Sequence, residues 1–325
     1  MRSVLHRTTT ALACAAFSLG ALVVAPATAV GQETEAITCN SQPGSNATKF
    51  YKGKSAGLVY DTKFRAGAPI PGLGAYVPQG IAVLENWDGS GRPIFLISEY
   101  ANGGKSARIY GLDTAGREIG YVQIAGSHVG GIAVARGWVF VSGRADGKMH
   151  TIRKYKASDL VAALKRNDGK PLQQNGKARS VDGSSFLTSY DGMLFAGTFD
   201  EKKKKSSMQS YYVAADGKLT MIESYEVPRK TQGVMITRDH FIFSTSYGRK
   251  NLSNIYVVDA FAKKIEPSAK CFSAPSMSEG MTTFGGYAVL LYESGADEYA
   301  KPKPRNVIEH LHVADIATLP YFQAG

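Results

Sequence analysis

One motif recurs along the chain at a spacing of about fifty residues, and few folds accommodate such a period. A small or polar residue and a glycine open an apolar run in Gln79-Gly80-Ile81-Ala82-Val83, Gly130-Gly131-Ile132-Ala133-Val134, Gln232-Gly233-Val234-Met235-Ile236 and Glu279-Gly280-Met281. A degenerate copy stands at Ser184-Ser185-Phe186-Leu187. Positions 80, 131, 185, 233 and 280 lie 51, 54, 48 and 47 residues apart. After each anchor comes a second apolar strand (Ile94–Ser98, Val139–Ser142, Leu194–Gly197, Phe241–Ser244, Val289–Tyr292). A third follows at Ala107–Leu112, Thr151–Tyr155, Met208–Val213, Ser253–Asp259 and Val307–Val313, with outer strands at Glu118–Ile124 and Thr220–Val227.

Units of this length with four short strands are the pattern of β-propeller blades. Each blade buries both faces against its neighbours, which accounts for second strands that are apolar almost throughout. Glycine at the anchor fits the same picture, because the innermost strands crowd the axis and a residue without Cβ permits close approach. The expectation is an all-β propeller of five four-stranded blades, with six or seven if units have been merged and a β-sandwich as the competing arrangement. The fifth unit runs out of strands at Leu319-Pro320, so an N-terminal strand over 56–64 is expected to close the last blade.

Residues 1–29 read as a secretory signal peptide. Arg2 and Arg7 precede the apolar stretch Ala11 to Val24, and Ala27-Thr28-Ala29 offers a cleavage site. Residues 30–55 form an N-terminal extension and 56–325 one propeller domain. Of the three cysteines, Cys14 leaves with the leader. Cys39 and Cys271 are expected to form a disulfide at the ring seam, since exported chains meet an oxidising compartment. The formal charge of +11 becomes +9 after cleavage, which suits contact with anionic wall polymers. Apolar residues at 44% supply enough surface for a core and exclude a disordered chain. No long apolar run follows the leader, so no transmembrane segment is expected after cleavage.

Ser158 to Lys165 predicts a short inserted helix with Ser158 as N-cap, followed by a polar loop over 165–177. His310 and His312 sit two apart on a predicted strand, the beginning of a metal site without an evident third ligand. Lys202 to Lys205 reads as a solvated loop and gives no support to nucleic-acid binding outside the cell. Gly53-Lys54-Ser55-Ala56-Gly57 matches a nucleophile elbow by letters alone, without its strand and helix. Asn46-Ala47-Thr48 and Asn251-Leu252-Ser253 are glycosylation sequons that matter only in a eukaryotic host.

In a propeller, the anchors and the second-strand ends converge on one mouth of the channel. That places Gln79, Glu99, His128, Arg144, Gln232, Tyr247, Arg249, Glu279 and Glu293 as candidate ligand-binding residues, with Asp182, Tyr100, Phe199 and Tyr292 nearby. Donors, acceptors and aromatic walls are the usual content of a polar ligand pocket. The same residues admit a bland reading as a closed hydrogen-bonded network around the axis. Cofactor and catalytic residues stay unassigned.

The five anchors, with Ser244-Thr245-Ser246-Tyr247-Gly248-Arg249 and Met277-Ser278-Glu279-Gly280, resemble the repeats of secreted bacterial β-propeller proteins of the five-bladed type over roughly residues 56–319. The resemblance implies architecture and export. It does not choose among glycosidases, lactonases, lectins and adaptor scaffolds, and no catalytic motif carries over. The functional expectation is a secreted, extracellular or wall-associated monomer that binds a polar small molecule, a glycan or an extracellular protein at the channel mouth. The alternatives are an extracellular hydrolase or lyase working through Glu279, Glu293 and Glu99 with His128, or a structural protein of the cell envelope.

Overall fold

The computed structural model describes residues 37–45, 49–104, 106–145, 148–202, 206–265 and 269–323. The proposed leader, the sequon at Asn46 and most of the Lys202–Lys205 run lie outside them. Within the described residues, five four-stranded antiparallel sheets follow one another around an axis as a five-bladed β-propeller. From the innermost strand outward, blade 1 is Tyr76–Leu84, Ile94–Ala101, Ala107–Asp113 and Glu118–Ile124. Blade 2 is Ile132–Ala135, Trp138–Ala145, Lys148–Lys156 and Arg179–Ser180. Blade 3 is Phe186–Tyr190, Met193–Gly197, Ser206–Val213 and Leu219–Val227. Blade 4 is Thr231–Ile236, His240–Thr245, Ser253–Asp259 and Lys270–Ala274. Blade 5 takes Ser278–Phe284, Tyr287–Tyr292 and His310–Asp315 from the C-terminal end and Phe64–Pro69 from the N-terminal end.

The anchor glycines sit where neighbouring blades meet. A Cβ built on Gly80 would stand 2.8 Å from the Cα of Gly131 in blade 2, and one on Gly233 the same distance from the Cα of Gly280 in blade 5. On Gly280 it would lie 3.0 Å from the Cα of Gly80, and on Gly131 it would collide with the backbone nitrogen of Leu187. Contacts this close admit no side chain. Outward from the axis, the space between blades is apolar. Leu96, Ile109, Val139 and Val141 fill the gap between blades 1 and 2, and Phe140, Leu187, Leu194 and Tyr211 the next. Phe186, Phe195, Phe241 and Phe243 pack between blades 3 and 4, and a larger cluster joins blades 4, 5 and 1.

The ring is closed by an N-terminal strand, as expected, but by Phe64–Pro69 rather than by residues 56–64. Leu58–Lys63 is a short helix, α1. The alternation of Leu58, Tyr60 and Thr62 looks like a strand, yet α1 buries a single side chain, Tyr60. Its ring stacks on Phe64, and its hydroxyl meets Tyr292 Oη at 2.8 Å and His312 Nδ1 at 2.5 Å. His312 is buried, and desolvation drives its imidazole down to about 3, while His310 is exposed. The pair therefore divides between core and surface. Among the described residues no three His, Cys, Asp or Glu side chains are grouped to hold a metal ion.

Cys39 and Cys271 form a disulfide with Cα atoms 4.5 Å apart. Cys271 lies on the outermost strand of blade 4, and Asn40 pairs with Phe272 beside it. The bridge thus ties the N-terminal segment to blade 4 just before that segment enters blade 5. Closing a loop of 232 residues stabilises the fold by about 5 kcal/mol in the chain-entropy account.

The inserted helix α2 runs over Ala157–Arg166, and Lys156, whose side chain makes no cap bond, stands at its N-cap in place of Ser158. Leu160, Ala163 and Leu164 are buried in the core shared by blades 1 and 2. The third strand of blade 5 is shorter than the expected 307–313, because Asn306–Val307 leaves the sheet to pair with Lys52–Gly53.

The glycine contacts carry a direct test. Gly280→Val should lower stability by about 3 kcal/mol or prevent folding, because the added atoms meet backbone rather than movable side chains. Gly74→Ala, with only Asp297 Oδ2 at 3.8 Å, should leave the melting temperature nearly unchanged. Equal melting temperatures for the two variants, read by circular dichroism, would contradict the blade contacts.

Candidate functional site

On the face where outer strands hand over to the next inner strand, a cavity of about 660 Å³ opens at the axis. Its lining combines Gln79, Tyr100, His128, Arg144, Phe199 and Gln232 with Ser127, His150, Ser184 and Ser185. Strand parity decides who reaches it. On the second strand of blade 1, Ser98 and Tyr100 turn towards blade 2: Ser98 Oγ donates to Val129 O at 2.8 Å, and the Tyr100 ring lies over His128 at 4.6 Å. Glu99, between them, turns the other way.

Of the nine candidates read from the sequence, four line the cavity, Gln79, His128, Arg144 and Gln232, and the other five stand outside the lining. Glu279 and Glu293 stand behind the two glutamines. Gln79 Nε2 donates to Glu293 Oε2 at 2.9 Å, and Gln232 Nε2 to Glu279 Oε1 at 3.2 Å. Arg249 flanks this pair, with its guanidinium 4.7 Å from the ring centre of Tyr299, whose hydroxyl donates to Glu293 Oε2 at 2.8 Å. Tyr247 is exposed on its loop beneath Lys230 and lies outside the lining. Glu99 is fully buried in an ion pair with Arg108 at 2.7 Å, away from the mouth. Tyr292 points to α1, and Asp182 is exposed outside the cavity lining.

From the wider set at the second-strand ends, Tyr100 and Phe199 also line the cavity.

The electrostatics separate these groups further. Burial and the neighbouring Glu293 carboxyl, with which it shares a hydrogen bond, push Glu279 well above the ordinary carboxyl value. Burial raises Glu293 as well, opposed by the donors Tyr299 and Gln79. Two carboxyls in contact cannot both ionise cheaply, so the pair holds a proton at neutral pH. Tyr100, raised to about 12 chiefly by burial, links its hydroxyl to Tyr299 at 3.2 Å. A continuous run of contacts thus leads from the His128 ring through Tyr100 and Tyr299 to the carboxyl pair. His128 is exposed at the mouth, and desolvation together with the charge of Arg144 holds its imidazole below the ordinary value. Glu99 is raised to about 7, because burial outweighs the attraction of Arg108, whose guanidinium also lies 3.6 Å from the ring centre of Tyr76.

Ser127, His150, Ser184 and Ser185 are not among the site candidates read from the sequence, although Ser184 and Ser185 open the degenerate anchor. The serines belong to the handover loops beside His128 and the degenerate anchor, so their position was the available signal.

The sequence matches no family model and no curated protein. Among solved structures, the hydrazine synthase of Kuenenia stuttgartiensis is similar at TM-score 0.40 and 14% identity, over 66% of this chain and 55% of that one. The Dos1 propeller is similar at TM-score 0.26 and 10% identity, over 60% and 49%. This chain spans about half the length of each. The propeller assignment rests on its own strand order.

The carboxyl pair predicts a pH dependence. Its raised folded values mean that the stability it carries is full below the ordinary 4.5 and falls as pH rises through the raised values. Glu99 adds a loss through about 7. Glu279→Gln keeps the neutral form, so its melting temperature should decline less than that of the parent between about pH 5 and 8. An unchanged or steeper decline, followed by calorimetry, would contradict proton sharing.

Proposed function

We propose that this protein is an exported β-propeller that binds a polar small molecule or a glycan unit in the mouth of its channel. The observation that carries the reading is the cavity of about 660 Å³, with Tyr100 and Phe199 as aromatic walls and Gln79, Gln232, Arg144 and the serines as polar groups. Ligand sites fall in the range of roughly 300–1,000 Å³ and combine apolar walls with a few placed polar groups. Gln79 and Gln232 each face the cavity while their amide nitrogens are engaged by a carboxyl behind, so their orientation is set before a ligand arrives.

Hydrolysis by paired carboxylates is the alternative, and the geometry favours binding. Two carboxyls with separate acid and base roles stand roughly 5–10 Å apart on either side of the bond they cleave. Glu279 and Glu293 share a hydrogen bond and lie behind Gln79 and Gln232. Export is supported by the leader-like residues 1–29 and by the Cys39–Cys271 bridge, because such bridges persist in oxidising compartments. No helix among the described residues is long and apolar enough to cross a membrane.

Native mass spectrometry of the protein after exposure to spent growth medium and to a panel of mono- and oligosaccharides tests the reading. A non-covalent adduct is expected, weakened at least about tenfold in Tyr100→Ala and Gln232→Ala and kept in Tyr247→Ala. The absence of any adduct, or one indifferent to both mouth variants, would overturn it.

A further inference from the structure

The wall of the mouth built by blade 2 has a charge that the remainder of the cavity does not balance. Arg153, on the third strand of that blade, is 1% exposed. Its Nη1 donates to Ala125 O at 2.5 Å, and its Nη2 to Ser127 Oγ at 2.5 Å and to Ser142 O at 3.4 Å. Its Nε has no partner, and no carboxylate pairs with it among the described residues. A guanidinium stays charged in a protein, and a buried charge held only by neutral dipoles is costly.

The position of this charge is informative. A Cβ on Gly143 would stand 2.7 Å from Arg153 Nη2, and both Gly143 and Ser127 line the cavity. The guanidinium therefore lies immediately beneath the cavity wall. Above it the lining carries Arg144 and His150, and no carboxylate among the described residues. Glu279 and Glu293 stand behind the two glutamines, where they bond to Gln232 and Gln79 and to each other.

Resting on the mouth as the binding site, we infer that its ligand bears an anionic oxygen group, a carboxylate or a phosphate, docked against Ser127, Arg144 and His150 over the buried Arg153. The hydroxyl of Ser127 accepts from Arg153, which leaves its own proton to donate to such a group. Arg144 supplies the charge-assisted contact. The anion in turn compensates the guanidinium below, which no protein carboxylate reaches among the described residues.

The test uses two small anions and a neutral control. Histidine side-chain NMR of the whole protein is followed while inorganic phosphate, acetate or glucose is added at constant ionic strength, with His128 and His150 assigned through single His→Gln variants. Phosphate or acetate should move His150 saturably in the millimolar range, and whichever binds more tightly identifies the group. Arg144→Gln, an exposed position, should weaken that binding at least about fivefold. Because Arg153→Lys keeps the charge but loses the fork, it should weaken binding while the remaining histidine resonances stay in place. Shifts that do not saturate, that ignore Arg144→Gln, or that fail to occur would overturn the anion inference. Glucose alone moving His128 and His150 would overturn it too and leave the mouth standing as a binding site. Loss of the mass-spectrometric adduct would instead remove the mouth itself.

Discussion

Backbone contact between blades at the axis is the constraint on which the rest depends. Gly80 meets Gly131, Gly233 meets Gly280, and Gly280 meets Gly80, at distances where a single Cβ would collide with main chain. Four of the five innermost strands meet their neighbours through a glycine, where a side chain would not fit, while blade 3 offers the backbone of Phe186 and Leu187 to Gly131. The apolar clusters between blades then fill the wedges that open outward, with large rings such as Phe186, Phe195, Phe241 and Phe243 where the wedge widens. Closure is secured from outside by Phe64–Pro69 in the last blade and by the bridge from Cys39 to Cys271 in the one before.

The same crowding shapes the mouth. Residues next to the anchor glycines are forced towards one another, and two of them are Gln232 and Glu279, joined across blades 4 and 5. Gln79 meets Glu293 in the same way between blades 1 and 5. Carboxyls brought together and desolvated retain a proton, which limits the charge on that side of the channel. On the side of blade 2, by contrast, a buried guanidinium and an exposed one face the cavity wall without a described carboxylate. The channel mouth is thus polarised, and the polarity follows from which strands supply the two sides.

Much of the architecture was legible because its cause is local. Glycine at a fixed period marks the axial contact, and apolar second strands mark burial on both faces. The outer strands of blades 2 and 4 were missed. Arg179–Ser180 has two exposed residues and no pattern, and Lys270–Ala274 is hidden in a lysine-rich approach. Residues 56–64 misled for a different reason: alternation over six positions reads as a strand, although α1 buries one tyrosine. The site was legible only to the level of a face. Position in the repeat placed Glu99 and Tyr100 together, whereas parity sends one to Arg108 inside and the other to the cavity. Arg153 left no mark in the sequence, since a strand residue in a basic chain gives no sign of being buried without an acidic partner.

An open, polar binding cavity and a closed network of side chains differ in what fills the mouth. The most direct measurement is a crystallographic density map of the protein purified from its native source without added ligand. Density for a bound molecule is expected between Tyr100, Gln79, Gln232 and Arg144, with the two glutamine amides still directed at Glu293 and Glu279. A mouth filled by its own side chains, with Gln79 and Gln232 bonded to each other across the axis, would contradict the open cavity.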